Sequence, residues 1–179
     1  AKEGIAHAFW ALVNPGDSVL LPDPAFPMYR AQTLLCGGIP HQVPLYRERK
    51  FLPDLSSLDP RIAQKAKLLM LNYPNNPTGA VAPREFFEDV VEFARANDVV
   101  VLNDAVYTEI SFDGYKPVSL LQIEGARDIG LEFHSLSKTY SMAGWRIGFA
   151  LGNRRIISSL LRVKQVVDSG VPRAIQHAG

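Results

Sequence analysis

One cysteine, Cys36, stands alone in the chain, so no internal disulfide forms and the fold must be held by packing. No apolar stretch is long enough to cross a bilayer, and no basic-then-apolar leader opens the sequence. An excess of one charge is missing too. The 19 basic residues stand against 18 acidic ones, a net charge of +1 without a run of either sign, which removes the electrostatic footprint of a nucleic-acid or acidic-membrane binder. His7, His41, His134 and His177 fall at no metal-ligand spacing with one another or with Cys36, so no metal is expected. Internal repeats, low-complexity tracts and interdomain linkers are absent. What these gaps leave is one packed domain, with a reducing cytoplasm as its expected location.

An apolar share of 47% over 179 residues supplies a sizeable core for one domain and too little chain for two ordinary ones. The sequence opens directly in a helical pattern, with Ile5, Ala8, Phe9 and Leu12 at i, i+3, i+4 and i+7, and stops at Gly179 just after a segment with the look of a new helix. Residues 1–179 therefore read as one domain truncated at both ends, the central piece of a longer protein.

Taken in order, the turn Asn14-Pro15-Gly16-Asp17 precedes a short strand over Ser18 to Leu21. A loop with two prolines, Asp23 to Pro27, leads into a helix from Met28 to Leu35, closed by Gly37-Gly38. A strand is expected near His41 to Leu45, then a polar connection over Arg47 to Lys50, then a buried strand at Leu68 to Leu71. Pro83 opens the clearest helix, with Phe86, Val90, Phe93 and Ala94 on one stripe and Glu85, Glu88 and Asp89 near its positive end. Val99 to Leu102 and the run through Ile129, Leu131 and Phe133 give two more buried strands, and Ile147 to Leu151 another. A last helix is predicted from Arg154 to Asp168, with Ile156, Leu160, Val163 and Val167 in register. Gly144, Gly148 and Gly152 have the spacing of a membrane-helix motif, but Trp145 and Arg146 interrupt it, and close packing around a strand is the expectation. Apolar strands alternating with amphipathic helices predict an α/β fold, a mostly parallel sheet sandwiched by helices, with ligands bound beyond the carboxyl ends of its strands.

Three of those strand ends carry unusual polar chemistry: Asn76-Pro77-Thr78-Gly79, Asp104 with Tyr107, and Ser135 to Lys138. Each has a plain structural explanation, as a turn, a local cap, or a core aromatic with its hydroxyl satisfied. Lys138 has two readings. It sits among hydroxyl-bearing residues at the end of an apolar run, where desolvation would free its amine as a nucleophile for imine chemistry; alternatively, it is a strand-end lysine that reaches water along its stem.

The segments Asn75-Asn76-Pro77-Thr78-Gly79, Asp104-Ala105-Val106-Tyr107 and Ser135-Leu136-Ser137-Lys138, with Arg146 eight residues on, resemble the signature of fold-type I pyridoxal-phosphate enzymes, the class I and II aminotransferases, from Lys2 to at least Asn153. The resemblance implies the large cofactor-binding domain of that fold, pyridoxal 5'-phosphate as cofactor, a homodimer, and an amino acid and a 2-oxo acid as substrates. By the same resemblance Lys138 forms the Schiff base and moves the substrate proton, and Asp104 pairs with the ring nitrogen. Tyr107 and Asn76 meet the ring's phenolic oxygen, Arg146 and Ser135 hold the phosphate, Phe26 stacks on the ring, and Ala1 and Lys2 start the helix whose backbone amides receive the phosphate. Ser137 and His134 are left outside that set. The wording around Lys138 and Gly144 to Phe149 is most similar to LL-diaminopimelate aminotransferases of lysine biosynthesis, with alanine or aspartate aminotransferases of the same subgroup near them. A carbon-sulfur lyase or synthase on the same fold, and the effector module of a transcriptional regulator, share the same cofactor constellation. Family members also use an arginine for the substrate carboxylate and an aromatic from the partner subunit, neither of which has a counterpart in these residues, so the piece alone is expected to be inactive in transamination.

Overall fold

The computed structural model describes residues 1–179. Helix α1 (Lys2–Leu12) leads to strand β1 (Ser18–Asp23), helix α2 (Met28–Leu35) and strand β2 (Ile39–Pro44). After two short 3-10 turns come α3 (Pro60–Lys65), β3 (Ala66–Leu71), α4 (Arg84–Asn97) and β4 (Val100–Asp104). The remainder is α5 (Ala126–Ile129), β5 (Gly130–Ser135), the one-turn α6 (Leu136–Thr139), β6 (Gly148–Gly152), α7 (Arg154–Val167) and α8 (Arg173–Ala178). The predicted strands and long helices are all present.

The six strands form one sheet in the order β2-β1-β3-β4-β5-β6, with every pair parallel except β5 with β6. Successive strand residues part to opposite faces, as a pleat requires. Val19, Leu21, Leu68, Met70, Leu102, Leu131 and Phe133 join Ile5, Phe9 and Leu160 in one core beneath α1 and α7. Leu20, Leu69, Leu71 and Val101 join Phe86, Phe87, Val90 and Ala94 of α4 in the other. Full burial on both faces explains why β3 and β4 read as continuous apolar runs, without alternation.

Some details differ from the sequence reading. α3 was not foreseen, because six residues carry no measurable period, although Asp59 accepts from the Arg61 amide at 2.8 Å and Pro60 opens the helix, a start signal present in the sequence. Val167, placed on the buried stripe of α7, is 48% exposed, since only Leu160 of that helix is fully covered. Phe93 is partly covered, while Phe87 and Val91 are buried in its stead on α4. Of the three spaced glycines, Gly144 meets open space; a Cβ on Gly148 would approach the His134 carbonyl at 2.5 Å and the Ala1 nitrogen at 2.9 Å, so only a glycine lets β6 lie against the start of α1. His7, unremarkable by spacing, is buried beside Glu3 and Asp168, and Lys164 already bridges those two carboxylates and clasps α7 to α1.

Candidate cofactor site

The sheet order puts the carboxyl ends of β3, β4 and β5 side by side, and the chain segments leaving them meet the N-terminus of α1. A cavity of about 350 Å³ opens there, and all nine predicted residues line it: Ala1, Lys2, Phe26, Asn76, Asp104, Tyr107, Ser135, Lys138 and Arg146. Ser137, left aside in the sequence reading, lines it too.

Asp104 is the last residue of β4, on the same face as Leu102, and is 6% exposed. Its Oδ2 accepts from the Tyr29 hydroxyl at 2.8 Å, while Oδ1 is buried with no hydrogen-bond partner. Burial raises the Asp104 carboxyl above its ordinary value, opposed by the Tyr29 hydroxyl and the Val106 amide. Burial and then the Asp104 charge hold the Tyr29 phenol protonated, so it acts here as a donor. An acceptor-only oxygen, dry and unpartnered at the wall of a cavity, fits a ligand that brings its own N–H or O–H.

Asn72 holds this corner together. Its Nδ2 donates to the Asp104 carbonyl at 2.6 Å, and its Oδ1 accepts from the Asn76 amide at 2.8 Å, so one buried side chain ties the β4 tip to the loop after β3. Asn75 fastens that loop from within, accepting from Thr78 at 2.7 Å. Neither Asn72 nor Tyr29 was singled out from sequence. Asn72 opens the loop that carries Asn76, and Tyr29 lies on the helix that follows Phe26.

Lys138 departs from expectation in two ways. It is carried by α6, beyond the tip of β5, and it is exposed, not desolvated, because that single turn leaves the sheet and sits at the cavity's mouth. Its Nζ lies 5.8 Å from the centroid of the Tyr107 ring. Ser135 caps α6, its Oγ accepting from the Ser137 amide at 3.2 Å and donating to the Ile147 carbonyl at 3.4 Å. Arg146 is exposed too; it occupies a left-handed turn before β6, not an apolar strand, and its Nη1 donates to the Ala143 carbonyl at 2.6 Å. Lys2 lies 5.1 Å from the Phe26 ring centroid, and that ring packs edge-on to Tyr29.

No carboxylate pairs with Lys2, Lys138 or Arg146. α1 also begins without a side-chain cap at Ala1, which leaves its first amides as free donors. Three cations without a carboxylate partner and a helix N-terminus line the same cavity as a lone carboxylate oxygen, a set that suits a ligand with an anionic group and a protonated ring nitrogen. Pyridoxal phosphate has both.

The family model "Aminotransferase class I and II" matches residues 1–178. The chain belongs to the class I and II aminotransferases. Among curated relatives of this family, LL-diaminopimelate aminotransferase of Halothermothrix orenii is 54% identical over 179 residues, 100% of this chain and 46% of its own length. The chain thus spans about half the length of the curated relatives it matches. Among solved structures, apo-BacF from Bacillus subtilis superposes with a TM-score of 0.97 at 40% identity, covering 99% of this chain and 45% of that one. A probable N-succinyldiaminopimelate aminotransferase from Thermus thermophilus superposes at 0.92 with 38% identity, over 97% and 46%. The mostly parallel sheet is that of these aminotransferases. No helix of the chain is long and apolar enough to cross a membrane.

Proposed function

We propose that residues 1–179 supply the pyridoxal-phosphate-binding large domain of a cytoplasmic, homodimeric aminotransferase, and that its amino donor is LL-diaminopimelate, in lysine biosynthesis. The substrate rests on the names of the relatives. The cofactor rests on one observation above the others, the buried, partnerless Oδ1 of Asp104 at the cavity wall.

Bound there, pyridoxal phosphate would supply the electron sink that lets an amino acid give up its α-proton and pass its amino group to a 2-oxo acid. The chain's own residues do the rest. Asp104 would accept from the ring N–H through Oδ1 and keep that proton in place. Tyr107 and Asn76 would donate to the ring's phenolic oxygen. Arg146, the Ser135 hydroxyl and the first amides of α1, begun by Ala1 and Lys2, would hold the phosphate. Phe26 would cover a face of the ring and exclude water. Lys138 would hold the group covalently through Nζ, its amine condensing with the aldehyde with loss of water, and the same Nζ, when free, would take up and return the proton of the substrate α-carbon. Its exposure at the mouth leaves that nitrogen accessible to an incoming substrate.

Borohydride reduction of the full-length protein with pyridoxal phosphate, followed by intact mass and peptide mapping, tests the assignment. Label on Lys138, lost in Lys138→Ala, is expected; equal labelling of the alanine variant overturns it. An assay with LL-diaminopimelate should form product only when a 2-oxo acid acceptor is added. Pyruvate and ammonia released without an acceptor would assign a lyase instead.

A further inference from the structure

Behind the cavity, on the opposite face of the same strand tips, lies a second buried carboxylate that the proposed chemistry does not use. Glu132 is the register partner of Asn103 and is fully buried. Its Oε1 accepts from Ser119 Oγ at 2.8 Å and from His134 Nε2 at 2.8 Å. Its Oε2 accepts from the Leu120 amide at 2.8 Å and from Asn103 Nδ2 at 3.1 Å. An ionised carboxylate only accepts, so Nε2 of His134 carries the proton, and that ring is stacked on Phe149 of β6 at 5.0 Å.

The four donors come from places that matter to the site. Asn103 precedes Asp104, and His134 precedes Ser135. Ser119 and Leu120 end the segment that leaves β4 through Tyr107. The strand pleat turns Asn103, Glu132 and His134 to one face and Asp104 and Ser135 to the other. Glu132 is therefore bonded to the immediate neighbour of each site residue at these two tips.

We infer that Glu132 is a positioning residue of the cofactor site: by gathering Asn103, His134 and the Ser119–Leu120 turn it fixes where Asp104 and Ser135, and through them the start of α6 with Lys138, present themselves to the cavity. A packing role alone would not require this chemistry. A leucine of similar size would fill the space without demanding four donors, and a buried carboxylate with fewer partners would be costly. A probe of similar volume exists. Glu132→Gln keeps one acceptor for the Leu120 amide and Asn103 Nδ2, which only donate, and turns an N–H₂ toward Ser119 Oγ and His134 Nε2, which must reverse from donating to accepting to meet it. Four bonds to a charged group become neutral ones, which loosens the convergence while keeping the volume.

The experiment compares Glu132→Gln with Val90→Ala, a core change on α4 that removes no group bonded to Glu132, in the full-length protein without cofactor and then with pyridoxal phosphate. Amide hydrogen exchange without cofactor is expected to rise about tenfold or more in Glu132→Gln over residues 105–107 and 136–138, relative to Val90→Ala. Affinity for pyridoxal phosphate should fall by about tenfold, by analogy with the loss seen when partners behind a bound group are removed, and the absorbance band of the bound cofactor should move. Exchange in those two segments no faster than in Val90→Ala overturns the inference. The affinity arm rests on the function proposed above, but the exchange arm does not, so a parent protein that fails to bind pyridoxal phosphate sinks that function and leaves this test decisive. Should Glu132→Gln not fold, His134→Leu, at a partly buried position, removes the donor from the same branch and is expected to raise exchange over residues 136–138; no rise there overturns the inference equally.

Discussion

Asp104 and Glu132 sit on neighbouring strands one residue out of step, both buried and both acidic, and the protein treats them in opposite ways. Glu132 has a donor for each lone pair it can use. Burial acts to raise its carboxyl, but the hydrogen bonds from His134, Ser119 and Asn103 outweigh burial and bring it below its ordinary value. Asp104 has one oxygen tied to Tyr29 and one left bare, and burial wins, raising it. The difference lies in what each is short of. A satisfied carboxylate stabilises the fold; an unsatisfied one stores a deficit that only a ligand relieves.

That contrast breaks most readily at Glu132. Replacing it by Gln turns four bonds to a charged group into neutral ones and makes Ser119 and His134 accept where they donated, and the cofactor-free protein should lose about 2 kcal/mol, read as a lowered denaturation midpoint in urea at neutral pH. Asp104→Asn should act in the other direction. It removes a buried charge with one of its two oxygens unpartnered, so the cofactor-free protein should gain about 1 kcal/mol while its affinity for pyridoxal phosphate falls. A loss of stability in that variant would mean that Asp104 is an ordinary structural carboxylate.

Acid sharpens the comparison. Because the folded pKa of Asp104 is raised, its ionisation costs stability only as pH climbs through that raised value, and the cost is absent below the ordinary carboxylate value. The advantage of Asp104→Asn should therefore shrink on acidification. Glu132 has the opposite sign: its contribution is complete above the ordinary value and is lost as pH falls through its lowered one, so Glu132→Gln should converge on the parent in acid. Melting curves of the three proteins across the acid range read both trends. The smallest effect is expected at Phe149→Leu, which keeps apolar cover but removes the ring stacked on His134, at roughly 0.5 kcal/mol in the same urea measurement.

Much of this arrangement was legible in the residues. The cores of β3 and β4 were evident because strands covered on both faces are apolar throughout, and the helix at Arg84–Asn97 because its stripe is long enough to show a period. Strand ends marked by Asn76, Asp104 and Lys138 led to the cavity through the rule that ligands gather at such ends. Other features depend on contacts that no local pattern encodes. Strand direction is one: β6 has the composition of its neighbours, yet runs antiparallel at the sheet edge with Phe149 half-exposed. Glu132 lies within the run through Ile129, Leu131 and Phe133, and only the fold brings Asn103 and Ser119 to it. Tyr29 reaches Asp104 across 75 positions of sequence. The desolvation expected of Lys138 failed for a related reason, since its apolar neighbours belong to β5 and the chain has already left the sheet when it reaches the lysine.

The cavity takes its lining from the start of α1, the loop before α2, the loop after β3, the tip of β4, α6 and the turn before β6. It consequently does not exist in any partly assembled chain. A molecule that fits it binds only the finished fold, and mass action then draws the population toward that state, by about 2.7 kcal/mol at a concentration one hundred times its dissociation constant. The persistence of the finished fold would thus be tied to the supply of whatever small molecule occupies it.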